Sequence, residues 1–89
     1  MLASSEAVMT LPPGVALHAR PAGLFVRAAM RFQSRIVVAA NGREADAKSI
    51  LSVLGLGATA GTTLRLRAEG EDARDALAAL TASLDGVVE

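Results

Sequence analysis

Asn41-Gly42 stands between two short runs, Arg35–Ala40 and Arg43–Ala47, the first of them rich in β-branched residues (Ile36, Val37, Val38). A two-residue connection of this kind closes a β-hairpin through a turn whose central residues both take positive φ, which Asn and Gly tolerate and most residues do not. The dipeptide therefore places two adjacent antiparallel strands in the middle of the chain. Any fold for the sequence has to be built around that hairpin.

The flanking segments supply the rest of the frame. Glu6–Leu11 is a short, partly alternating apolar run stopped by Pro12-Pro13-Gly14, and reads as a first strand. After His18 the period changes: Ala22, Phe25, Val26, Ala29 and Met30 recur at spacings of three and four, the pattern of an amphipathic helix. Pro21 falls in its first turn, where a missing N–H costs nothing, and Arg27 and Arg31 sit off the apolar stripe. Ser49–Leu56 predicts a helical turn or two, with Ser49 as N-cap and Gly55 and Gly57 as stops. Thr62–Glu69 alternates, with Leu64, Leu66 and Ala68 on one face and Thr63, Arg65 and Arg67 on the other, as a half-buried strand requires. In Asp72–Leu84 the residues Ala73, Ala76, Leu77, Leu80 and Leu84 form a helical stripe, led by acidic residues and ended by Gly86. The order is β-α-β-β-α-β-α. It implies an α+β open-faced sandwich, with a four-stranded sheet carrying three helices on one face and turning the other to water.

With 89 residues there is room for one domain, spanning 1–89. Nine basic residues balance nine acidic ones, and the only aromatics are Phe25 and Phe32. A general nucleic-acid or anionic-membrane binder needs a basic face, and a single-strand binder needs stacking platforms, so both classes are disfavoured. The absence of cysteine removes thiol catalysis and the usual zinc clusters, and one histidine makes no transition-metal site; no cofactor is implied. Met1 to Thr10 lacks the charged start and long apolar run of a signal peptide, and no stretch reaches the ~20 apolar residues of a membrane span, which points to the cytoplasm.

Chemistry concentrates at His18, directly before Ala19-Arg20-Pro21-Ala22 at a junction of loop and helix. The first N–H groups of a helix have no partner within it and, with the helix dipole, favour an anion by ~0.3–1 kcal/mol. Imidazole, titrating near ~6.5 in solution, keeps an unprotonated lone pair at neutral pH and is a competent phosphoryl acceptor. An arginine two residues on can bring a guanidinium fork to phosphoryl oxygens. Taken singly, a histidine at a helix start is more often a polar cap, and an arginine a solvated side chain. Together they compose a group-transfer site, and no neighbouring acidic residue in the sequence stands ready to activate water.

Leu17-His18-Ala19-Arg20-Pro21-Ala22 resembles the active-site signature of the HPr family, the histidine-containing phosphocarriers of the bacterial phosphoenolpyruvate:sugar phosphotransferase system. Ala47-Lys48-Ser49-Ile50-Leu51 followed by Leu56-Gly57 is similar to the family's regulatory-serine segment. The Asn41-Gly42 hairpin and Ala68-Glu69-Gly70-Glu71-Asp72 agree as well, so the resemblance runs from about Val8 onward.

The resemblance implies that His18 is phosphorylated by Enzyme I at the expense of phosphoenolpyruvate, and that Arg20 holds the phosphoryl group until a sugar-specific IIA protein takes it. Ala19 and Gly23 would flank the site. Ile50, Leu51 and Leu54, with Arg27, would dock both partners, while Val53 and Leu56 belong to the core. Ser49 would be a regulatory site for a serine kinase/phosphorylase, although its cap role alone, worth ~1 kcal/mol, explains its presence. Such a chain is a covalently phosphorylated carrier rather than a free-standing enzyme, and a monomer that offers one face to two partners in turn. Alternatives are a regulatory interaction module using the same apolar patch, or a carrier in a parallel nitrogen or dihydroxyacetone kinase branch; a small hydrolase ranks last. Two departures stand out. The family usually has glycine two residues before its histidine, whereas here Gly14 lies four before, with Val15-Ala16 inserted. Gly23 replaces a more usual Ala, Ser or Thr at a cost of ~1 kcal/mol in a helix.

Overall fold

The computed structural model describes residues 4–85. Strand β1 spans Ser4–Thr10, helix α1 Ala19–Met30, strands β2 and β3 Arg35–Ala40 and Arg43–Asp46, helix α2 Ile50–Leu54, strand β4 Thr63–Glu69 and helix α3 Ala73–Leu84. The element order is that expected from the sequence, with boundaries shifted by one or two residues. Leu11 lies just outside β1 but is buried, its N–H donating to the Thr62 carbonyl over 2.9 Å. Gly86, the expected stop of α3, lies outside the described residues.

The four strands form one antiparallel sheet in the order β1-β4-β2-β3. Thus β4, the most regularly alternating segment, occupies an interior position, paired with β1 on one side and β2 on the other. Its Leu64, Leu66 and Ala68 are buried and its Thr63, Arg65, Arg67 and Glu69 exposed, a strict alternation that allows only one register. Asn41 and Gly42 connect β2 to β3 with φ of 54° and 76°, the left-handed values such a turn demands.

The helices cover the apolar side of the sheet, where Phe25, Ile36, Leu64, Leu66, Leu80 and Leu84 are almost completely buried in one core. Burying each such side chain contributes roughly 1.5–3 kcal/mol. The exposed pair Arg67–Glu69, at 4.0 Å, adds at most about 1 kcal/mol, so aliphatic packing holds the fold. The stripe of α1 needs one correction: Ala22, Phe25, Val26 and Ala29 are buried, but Met30 is 65% exposed. It stands in the last position of the helix, where the chain turns toward β2. Among the described residues no helix is long and apolar enough to cross a membrane.

Candidate functional site

The histidine is delivered by a short loop that is pinned along its length. Pro12-Pro13-Gly14-Val15 forms a turn closed by the Val15 N–H on the Pro12 carbonyl at 3.0 Å, with Gly14 at φ 79° in its third position. Proline second and a positive-φ residue third are what a type II turn selects. Val15 and Leu17 then point inward, only 2% and 3% exposed, while the Leu17 N–H donates to the Ala58 carbonyl at 3.0 Å. The His18 N–H closes a three-residue turn on the Ala16 carbonyl at 2.8 Å. The two extra residues before the histidine therefore do not slacken the loop. Val15 plugs the core, and backbone bonds tie the loop to the 58–62 segment.

His18 is the N-cap of α1, with extended backbone angles, and its carbonyl accepts the Ala22 N–H at 2.9 Å. His18, Ala19 and Arg20 are exposed, and Pro21 and Ala22 are buried. Pro21 contributes no N–H, so Ala19 and Arg20 supply the amides at this helix start that lack an intrahelical acceptor. No acidic residue lies in the first turn, and α1 contains none anywhere. Helix α1 therefore supplies no carboxylate of its own to answer the positive end of the dipole and the Arg20 guanidinium.

The flanking residues divide. Gly23 is half-buried with ordinary helical backbone, and a β-carbon built there meets nothing within 4 Å. Arg27 is exposed one turn further along. In α2, Leu51 is 80% and Ile50 38% exposed, Leu54 is half-buried against the core, and Val53 and Leu56 are buried. A five-residue helix cannot hide four apolar side chains on one face; Ile50 and Leu51 are left exposed, Leu51 the more so. Ser49 caps α2, its hydroxyl oxygen accepting the Ser52 N–H at 3.4 Å.

Several positioning residues went unread in the sequence. The Asn41 side-chain amide donates to the Leu56 carbonyl at 3.1 Å and Arg43 Nη1 to the Gly55 carbonyl at 3.0 Å, so the hairpin also holds the end of α2. Lys48 Nζ donates to the Phe32 carbonyl at 2.8 Å, fixing the approach to Ser49 against the end of α1. These bonds join segments 12 to 16 residues apart, and no local pattern signals them.

A helix-capping histidine with an arginine in the same turn, on a four-stranded open-faced sandwich, defines a histidine phosphocarrier fold. The chain belongs to the HPr family: the family model described as the PTS HPr component phosphorylation site matches residues 5–85. The phosphocarrier protein HPr of Xylella fastidiosa is 40% identical over 76 residues, 85% of each chain. The crystal structure of the phosphocarrier protein HPr of Bacillus anthracis superposes with a TM-score of 0.87 at 35% identity, covering 93% of this chain and 99% of that one. The solution structure of Crh, the catabolite repression HPr of Bacillus subtilis, gives a TM-score of 0.74 at 37% identity, covering 97% of this chain and all of that one. HPr is a component of the bacterial phosphotransferase system, and this chain shares its fold throughout.

Proposed function

We propose that this protein takes a phosphoryl group on His18 from phosphoenolpyruvate-charged Enzyme I and gives it to IIA components of sugar uptake. The observation that carries the reading is His18 as the exposed N-cap of a helix whose first turn holds Arg20 and no acid. In the forward step the imidazole lone pair forms a nitrogen–phosphorus bond as the bond from phosphorus to the donor breaks. The Ala19 and Arg20 amides and the Arg20 guanidinium face the charge carried by the phosphoryl oxygens. In the return step an acceptor on the IIA protein attacks the same phosphorus and the imidazole leaves. Helix α1 itself offers no carboxylate to activate water, which is in keeping with transfer rather than hydrolysis.

Ile50, Leu51 and Leu54, with Arg27, form the docking face in this reading. Leu51→Ala should change stability by no more than about 0.5 kcal/mol, because the side chain is 80% exposed, while weakening partner affinity. A phosphate on Ser49 would sit at a helix start that tolerates it and place negative charge beside that face, reducing docking of an acidic partner. The protein works in the cytoplasm and as a monomer.

The test is incubation with Enzyme I from the same organism, Mg²⁺ and phosphoenolpyruvate, followed by intact-mass measurement. A gain of one phosphoryl group, lost in mild acid and absent in His18→Ala, is expected. No gain would leave a regulatory module, as in Crh, as the better reading. The presence of His18 speaks against that reading, because a module that only binds needs no acceptor there.

A further inference from the structure

Helix α2 presents Ile50, Leu51 and Leu54 from five residues, too few for a helix to hold itself together in water. Its start is capped locally, by the Ser49 hydroxyl. Its end depends on a distant part of the chain. The Gly55 N–H reaches the Leu51 carbonyl at 3.0 Å, and the Leu56 and Gly57 N–H groups close tighter turns on the Val53 and Leu54 carbonyls at 3.1 and 3.2 Å. The next two carbonyls accept from side chains of the β2–β3 hairpin. Gly55 accepts from Arg43 Nη1 at 3.0 Å, and Leu56 from the Asn41 side-chain amide at 3.1 Å.

The two donors do different work. Helix α2 contains no basic residue, so Arg43 supplies from β3 the cation that the negative end of a helix favours. Asn41 brings a neutral donor to the carbonyl of Leu56, a residue only 3% exposed, where a lost partner is costly. The braced backbone continues toward the histidine. Two residues beyond Leu56, the buried Ala58 accepts the Leu17 N–H at 3.0 Å, and Leu17 directly precedes His18.

We propose that Arg43 and Asn41 are positioning residues for phosphoryl transfer: by completing the end of α2 they keep Ile50, Leu51 and Leu54 seated for a partner. The proposal rests on the phosphocarrier reading and adds to it two residues that act through α2, not on the phosphoryl group. Only molecules with α2 seated can dock, so apparent affinity falls with the seated fraction while the chemistry of a docked molecule is untouched.

The test is the initial rate of Enzyme I-catalysed phosphorylation as the concentration of this protein is varied, paired with amide hydrogen exchange of the free protein. Arg43→Met keeps the apolar stem and removes the donors; it should raise KM about threefold with kcat unchanged. Asn41→Gly keeps a turn that tolerates positive φ and removes the amide, and should act in the same direction. Arg43→Lys, still a cationic donor, should recover most of the parent KM. In Arg43→Met and Asn41→Gly the amides of Val53, Gly55, Leu56 and Gly57 should exchange faster, with those of β4 and α3 unchanged. Arg65→Met, which removes the same charge from the open face of the sheet, should leave both readings at parent values. A charged parent whose variants keep its KM overturns the proposal alone, as does a fall in kcat at constant KM. A KM change in Arg43→Met that vanishes at high salt, with no change in Asn41→Gly, would make Arg43 a direct charge contact and overturn it too. A parent protein that gains no phosphoryl group overturns the phosphocarrier reading and takes this proposal with it.

Discussion

Helices α1 and α3 are each 12 residues long and pack side by side, yet their N-termini are treated in opposite ways. At α3 the chain supplies its own negative charge. Asp72 is the N-cap, Asp75 stands in the first turn, and Gly70 and Ala73 are buried beside them. The Asp72 carboxylate accepts the N–H groups of Gln33 at 2.8 Å and Ser34 at 2.9 Å and the hydroxyl of the buried Ser34. At α1 the cap is an exposed histidine and no acid follows. One helix start carries the chain's own carboxylates, and the other is the end at which the proposed phosphoryl transfer would take place.

The sharpest break of the closed end is Gly70→Ala. Gly70 has φ 147°, and a β-carbon there would sit 2.8 Å from the Ser34 α-carbon. Backbone strain and overpacking each cost about 1–3 kcal/mol, so destabilisation of about 3 kcal/mol is expected in urea unfolding. Phosphoryl acceptance per folded molecule should be unchanged, since the lesion is at the other helix. A loss of acceptance without a loss of stability would show that the two ends are coupled.

Asp72 gives the next effect, and it depends on pH. The bond from the Ser34 hydroxyl, then that from the Gln33 N–H, hold its carboxyl below the ordinary value of 3.8, against a smaller opposing cost of burial. A folded-state pKa below the unfolded one means stability that is present in full well above 3.8 and is lost as pH falls through the folded value. Asp72→Asn should therefore lower the unfolding midpoint at neutral pH, and the gap from the parent protein should shrink in acid. A gap independent of pH would mean that shape rather than charge holds Ser34.

Much of this was readable along the chain, and the division follows range. The strand alternation of 63–69, the Asn41-Gly42 turn and the Ser49 cap depend on neighbours a few residues away, and each is found in the structure. The Asp72 clamp links residues 38 and 39 apart, and the tie of Leu17 to Ala58 is equally remote, so no periodicity announces them. In the sequence the inserted Val15-Ala16 implies a longer loop. Only the burial of Val15 reveals it as an anchor. Met30 keeps the helical spacing as the last residue of α1 yet is exposed, so periodicity alone does not fix burial at a helix end.

The smallest change lies at the open end and separates fold from function most cleanly. Gly23 has no positive φ, and a β-carbon there meets nothing within 4 Å. Nothing in the backbone requires glycine, so Gly23→Ala should stabilise the protein by about 0.5–1 kcal/mol through reduced freedom of the unfolded chain. That gain is the reverse of Gly70→Ala, where the same added methyl collides. Gly23 lies one turn beyond Arg20 on the helix that carries His18. If its clearance serves the close approach of a partner, the stabilised variant should accept the phosphoryl group more slowly from Enzyme I at limiting concentration, with no change at saturation. Equal rates throughout would leave Gly23 as a plain weakness in the helix, and the open end would then consist of His18, Arg20 and the two free amides alone.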